Sequence, residues 1–111
     1  MTLKMTKTKT EELVNKIKEA APHCEERQIN KVCKCISTAD YGSIVRALEY
    51  AMDYIGFCES DAKRVSEEDP SAITTHADIF RRANEIMCDE WKVVADMIAT
   101  EISNLEKNSA N

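Results

Sequence analysis

Glycine and proline are scarce in this 111-residue chain, which contains two of each, against roughly 7 % and 5 % in average proteins. The many short strands of a β-sandwich or barrel need more turn-forming residues than this, so those folds are excluded. Long apolar runs are also missing, and none approaches the ~18 residues of a membrane span. We therefore expect one all-α domain, since a domain usually has roughly 100–200 residues.

An export signal is another missing feature. The first ten residues, MTLKMTKTKT, contain lysines but no apolar stretch after them, so the chain has no recognisable secretory signal. An odd number of cysteines without such a signal favours a reducing, cytoplasmic location. The five cysteines are Cys24, Cys33, Cys35, Cys58 and Cys88.

The motifs of most enzyme classes are missing as well. His23 and His76 are the only histidines, and without a Glu-x-x-His pair a di-iron site in a helical bundle would lack ligands. Gly42 and Gly56 stand alone and form no phosphate-binding loop. No nucleophile elbow or catalytic Cys/His signature is present. We predict a protein that is not an enzyme and has no cofactor and no metal.

Two spacings could suggest a metal, and helical geometry argues against both. Cys33 and Cys35 are two residues apart in a predicted helix, so their thiols point about 200° apart and cannot share one zinc ion. We expect them to fill gaps in helix contacts. Two carboxylate pairs lie one helical turn apart but on polar faces, where they are expected to be solvated. These are Glu49/Asp53 and Glu85/Asp89.

Charge is unevenly distributed along the chain, whose net charge is −5. Residues 1–36 carry a net charge of +3 and the remaining 75 residues a net charge of −8. The early lysines alternate with threonines and have no neighbouring arginine or aromatic residue, which disfavours nucleic acid as a partner. An acidic surface suits a larger, basic protein partner, attracted over a distance that salt shortens.

Hydrophobic spacing predicts four helices, at about 11–20, 24–36, 43–67 and 70–106. Thr8 or Thr10 can cap the first helix, and Pro22 ends it. Asp69 and Pro70 suit the N-cap and first position of the fourth. We predict a long antiparallel helical hairpin, 43–67 and 70–106, on which the two shorter helices pack as one rod broken at the proline. The bundle then has three layers and four helices, spanning residues 10–107, with flexible termini at 1–9 and 108–111.

The third predicted helix is apolar over roughly 240° of its middle, more than one neighbour can cover. One heptad seam contains Ile44, Leu48, Ala51, Ile55, Cys58, Ala62 and Val65, and a second row contains Ala47, Tyr50, Tyr54 and Phe57. Two uses of the aromatic residues remain open. Tyr50, Tyr54 and Phe57 either form the patch of a symmetric homodimer or cover the contact with the shorter helices.

Four polar residues fall within the apolar arc of the fourth helix: His76, Asn84, Glu90 and Glu101. A buried charge is costly unless it is paired. Either these residues lie at the edge of the core, with Arg46, Arg64 or an N-terminal lysine pairing with the glutamates, or they line a cleft that binds a ligand. Glu90 beside Trp91 is the strongest candidate for such a site.

Two classes of function remain open on the sequence. The first is an acidic helical module that docks on a larger protein as an inhibitor, antitoxin, adaptor or viral counter-defence protein, aided by the acidic turn Glu67, Glu68 and Asp69. The second is a small-molecule or nucleotide binder, or a minor metal-dependent enzyme, with its site between helices or protomers. The shortage of motifs, the acidity and the surplus of apolar surface favour the first class.

Overall fold

A computed structural model describes residues 3–68 and 75–109, with the side chains of residues 3–64 and 78–108. This part of the chain forms four helices: α1 (Lys7–Ala20), α2 (Glu26–Ser37), α3 (Tyr41–Glu68) and α4 (Thr75–Ser109). The prediction of an all-α bundle is confirmed. The molecule is elongated, with extents of 58 × 22 × 16 Å, because α3 and α4 are about 42 and 52 Å long at 1.5 Å per residue.

Helices α3 and α4 form the predicted antiparallel hairpin and contact each other along most of its length. Near one end, Tyr41 Oη donates a hydrogen bond to Glu106 Oε1 at 2.6 Å. Further along, Lys92 Nζ lies 3.4 Å from Glu59 Oε1. These contacts fix the register of the two helices. The predicted segment Asp69–Pro70 lies outside the described residues.

The two short helices also form a hairpin, which differs from the predicted broken rod. Helix α1 packs on α4, α2 packs on α3, and α1 packs on α2. The backbone of Met5 donates to Ala39 O, and that of Tyr41 donates to Leu3 O, so the start of α1 lies beside the end of α2. The reversal is possible because residues 21–25 leave helical geometry between the two helices.

Helix α1 begins at Lys7 rather than near residue 11, and its N-cap is Thr6 rather than Thr8 or Thr10. Thr6 Oγ1 accepts the backbone N–H of Lys9 at 3.2 Å. Thr10 is buried instead, and its hydroxyl donates to Thr6 O at 2.8 Å. The cap falls at Thr6 because the preceding residues are held in an extended bridge to Asp40.

The core lies where all four helices meet. One face of α2, Ile29, Val32, Cys33 and Ile36, follows the i, i+3, i+4, i+7 spacing of an apolar helical side and is buried at every position. Leu13 and Ile17 of α1 are also buried, together with Trp91, Val94 and Ile98 of α4. Among the described residues, no helix combines the length and hydropathy that a membrane span requires.

Candidate functional site

Glu90, in the middle of α4, binds the turn that joins α1 to α2. Its Oε1 accepts the backbone N–H of His23 at 2.8 Å, and its Oε2 lies 2.6 Å from His23 Nδ1. The carboxylate is nearly buried, whereas the imidazole is largely exposed. Hydrogen bonds to a charged group are stronger than neutral ones and offset part of the cost of burying it. Glu90 therefore fixes the position at which the α1–α2 hairpin ends on α4.

The cations expected to pair with Glu90 lie elsewhere. The Nε of Arg46 donates to Tyr50 Oη at 3.4 Å, and Arg64 pairs with Asp61 at 3.7 Å. Glu90 nevertheless has a partner, His23, at the margin of the core. The partner itself differs, since the turn after Pro22 brings an imidazole to this position.

The thiol of Cys24 lies next to this carboxylate. Cys24 is buried, and its Sγ donates to the carbonyl of Met87 at 3.7 Å. Burial, together with the charge of Glu90 and a hydrogen bond to it, raises the pKa of the Cys24 thiol from 9.0 to about 12. This site therefore holds a neutral thiol that is a poor nucleophile at neutral pH.

Because the pKa of the Cys24 thiol is raised, the free energy of unfolding should fall as the pH rises in the alkaline range. The neutral thiol stabilises the fold fully below pH 9, the unfolded pKa, and this contribution is lost as pH rises towards the folded pKa of about 12. We expect Cys24→Ala to flatten the fall in unfolding free energy above about pH 9, where the unfolded thiol ionises and the folded one stays protonated, measured by urea titration. Cys35→Ala removes a partly exposed thiol and is the matched control. An equal slope in both variants would contradict the assignment.

The three aromatic residues of the predicted patch occupy different environments. Tyr54 is only 8 % exposed, and its ring packs on that of Trp91 with centroids 4.9 Å apart. Tyr50 is partly buried and lies beneath Lys31 Nζ of α2, 4.5 Å from the ring centroid. Phe57 is 61 % exposed. Tyr50 and Tyr54 thus cover a contact within the chain, and Phe57 alone of the three is a surface residue.

Phe57 marks the point where the α1–α2 hairpin stops covering α3 and α4. Beyond it, residues 59–68 of α3 and 75–86 of α4 continue as two helices, which we call the arm. On α4, Met87 and Glu90 contact the α1–α2 turn. Phe80 and Ala83 continue the same row of α4 into the arm, and these two side chains are exposed. We call Phe57, Phe80 and Ala83 the arm face.

Acidic groups lie near the base of the arm face. Asp61 is one turn beyond Phe57 on α3, and its partner Arg64 is largely exposed. Glu25, at the N-cap of α2, is close enough to raise the pKa of the Cys58 thiol, a shift dominated by burial. The backbone of Glu67 and Glu68 forms the last turn of α3. Their side chains, Asp69 and the side chain of His76 lie outside the described part of the chain.

The remaining polar residues of α4 do not converge on one site. Asn84 is buried, and its Nδ2 donates to Phe80 O at 3.0 Å. Glu101 lies near the other end of the bundle, beside Lys4 and Lys9 in a cavity of about 100 Å³. Among the described side chains, Asn84, Glu90 and Glu101 therefore lie apart from one another, and the side chain of His76 lies outside this part of the chain.

Two shallow grooves also lie among the described residues. One, of about 290 Å³, lies between α1 and α2 beside Pro22 and Ile29. The other, of about 250 Å³, lies between α3 and α4, where Glu59 contacts both Cys88 and Lys92. In this groove Glu59 already pairs with Lys92. No cluster of three or more histidine, cysteine or acidic residues suited to a metal ion occurs in the described ranges.

The candidate site is therefore the arm face and its acidic base. Comparison of the chain with family models, with curated proteins and with solved structures returns no match. The function must be inferred from the residues of this chain and from their arrangement.

Proposed function

We propose that this protein is an acidic helical module that binds a larger, basic protein through the arm face and has no chemistry of its own. The observation that supports this most directly is the length difference between its two hairpins. Helices α1 and α2 have 14 and 12 residues, whereas α3 and α4 have 28 and 35. The longer hairpin extends beyond α1 and α2 and keeps an apolar face exposed.

The exposed side chains on this face are of the type that dominates protein interfaces. Phe57 is 61 % exposed, and Phe80 is 45 % exposed. In the register of the α3–α4 hairpin, Phe57 lies at the level of Glu90. Counted along α4 from Glu90 to Phe80 at 1.5 Å per residue, Phe57 and Phe80 lie roughly 15 Å apart along the arm. Aromatic side chains in the centre of an interface supply much of its binding energy. An amphipathic helix of the partner is the natural ligand for such a face.

The expected charge of the partner follows from the residues around this face. Glu25 and Asp61 lie at its base, and the chain beyond Ile36 carries a net charge of −8. Such a surface attracts a basic partner over a Debye length of about 10 Å at 0.1 M salt. Free cysteines at all five positions support a reducing, cytoplasmic setting for this encounter.

Capture from extracts of the natural host, with three forms of the protein as bait, tests this proposal. We expect wild type to retain one protein in stoichiometric amount and the double variant Phe57→Glu/Phe80→Glu to retain at least about 10-fold less, since central aromatic residues each contribute about 2 kcal/mol. Met52→Glu is the matched control, because Met52 is also exposed but lies on another side of α3.

Two results would contradict the proposal. Retention of the same partner by the double variant would show that the arm face does not bind it. A nucleotide or metal retained by the purified protein in native mass spectrometry would favour the small-molecule function instead. Circular dichroism of each bait confirms that the substitutions leave the helices intact.

A further inference from the structure

Helix α4 carries a second exposed apolar row, distinct from the arm face. Ile79, Ile86 and Val93 are 60 %, 45 % and 48 % exposed. They recur every seven residues, and seven residues make almost two helical turns, so the three side chains lie in one line along the helix. We call this line the α4 stripe. It faces away from α3, and α1 leaves it exposed.

The α4 stripe is symmetric about its central residue. Ile79 and Val93 each lie seven residues, or about 10 Å, from Ile86. When two α4 helices pack antiparallel about a twofold axis at Ile86, the two Ile86 side chains meet. Ile79 of each copy then meets Val93 of the other. A symmetric dimer needs a self-complementary surface of this kind.

Charges beside the α4 stripe match the same arrangement. Arg82 and Asp89 lie on one flank of the stripe, four residues before and three residues after Ile86. In an antiparallel twofold pair the same flanks of both helices come together, so Arg82 of each copy lies beside Asp89 of the other. Within one chain, Arg82 contacts Asp78 at 3.5 Å and is largely exposed. A parallel twofold pair would instead place Arg82 and Asp89 of the two copies on opposite sides of the contact, where they could not pair.

We propose that two copies of this chain associate through the α4 stripe, with their α4 helices antiparallel and Ile86 on the twofold axis. The second copy is the occupant that the surface fits, because both its apolar spacing and its charges are self-complementary. A contact through one helix per chain is smaller than the roughly 1,200–2,000 Å² of a standard interface. The dimer is therefore concentration-dependent, and it leaves Phe57 and Phe80 to the partner of the proposed function.

Sedimentation equilibrium of the full chain, up to about 0.5 mM, tests the dimer and its register. We expect wild type and Met52→Glu to approach the mass of a dimer as concentration rises. Ile86→Glu is expected to remain monomeric, because it places two carboxylates at the axis. Arg82→Asp and Asp89→Arg should each weaken association at least about 10-fold, and the double variant should restore it, since the pair is then reversed.

Three outcomes would overturn this inference. They are a wild type that stays monomeric throughout, an Ile86→Glu variant that associates like wild type, and a charge-reversed double variant that associates no better than the single variants. Phe57→Glu/Phe80→Glu should dimerise normally. Dimerisation therefore fails or succeeds separately from the binding of the larger partner.

Discussion

Replacement of Trp91 by alanine is expected to lower the free energy of unfolding by about 3–5 kcal/mol, the usual cost of truncating a large buried aromatic residue. Trp91 is fully buried and packs on Tyr54. It lies where α4 meets the rest of the four-helix region, so the cavity would open at the centre of the core. Small domains are stable by only about 5–15 kcal/mol. The variant should therefore unfold at much lower urea concentration, measured by circular dichroism.

Met52→Ala is the control for Trp91→Ala, because Met52 is 59 % exposed. Its truncation should change the unfolding free energy by less than about 1 kcal/mol. Dilute protein keeps any self-association out of the comparison. A loss below about 1 kcal/mol for Trp91→Ala itself would show that the indole does not lie in the core.

Trp91→Phe separates the packing of the ring from its polar atom. The indole Nε1 is buried and has no hydrogen-bond partner among the described residues. An unpaired buried donor costs about 1–3 kcal/mol, and phenylalanine removes it while keeping an aromatic ring against Tyr54. We expect Trp91→Phe to destabilise the protein by much less than Trp91→Ala in the same urea titration.

The second large effect is expected at Glu90. Glu90→Ala removes both contacts to His23 and should lower the unfolding free energy by about 1–3 kcal/mol, because hydrogen bonds to a charged group are stronger than neutral ones. The turn should also loosen from α4. Limited proteolysis within residues 21–25 should accordingly become faster than in wild type.

Two further substitutions define the role of Glu90. Glu90→Gln retains a carbonyl oxygen for the backbone N–H of His23, so we expect a smaller loss than in Glu90→Ala. Glu85→Ala removes an exposed carboxylate whose contact with Arg81 is 3.8 Å, and it should change stability by less than about 0.5 kcal/mol. Equal effects of Glu85→Ala and Glu90→Ala would refute the anchoring role.

Helical periodicity was sufficient to predict which faces of the short helices are buried. Ile29, Val32, Cys33 and Ile36 share one side of α2 by spacing alone, and all four are buried. Periodicity reports the direction of each side chain around its own axis, and any helix with one apolar side must bury that side. Cys33 belongs to this side, whereas Cys35 points about 200° away from it and is partly exposed.

The direction of the chain after Pro22 could not be predicted in the same way. A proline indicates that a helix ends but not where the next one goes. Here the reversal depends on His23 meeting Glu90 and on Leu3–Met5 meeting Ala39–Tyr41. These contacts join residues far apart in the sequence, and no local pattern indicates them.

Which residues of the aromatic row on α3 are buried depends on the same long-range contacts. Tyr54 and Phe57 have equivalent spacing in the sequence, yet Tyr54 is buried and Phe57 is exposed. The difference arises because α2 begins at Glu26, close to the level of Tyr54, and leaves Phe57 uncovered. The sequence therefore predicts an apolar row, and only the packed hairpins show which part of it reaches the surface.

The arm also has a thermodynamic consequence. Among the described residues, its two helices have only each other as neighbours, so opening the arm breaks fewer contacts than opening the four-helix region. The arm is therefore expected to unfold locally before, and more often than, the four-helix region. A ligand that holds the arm closed must offset the conformational entropy that is lost on ordering. This cost lowers the affinity, but the same mobility lets the surface adjust to the ligand.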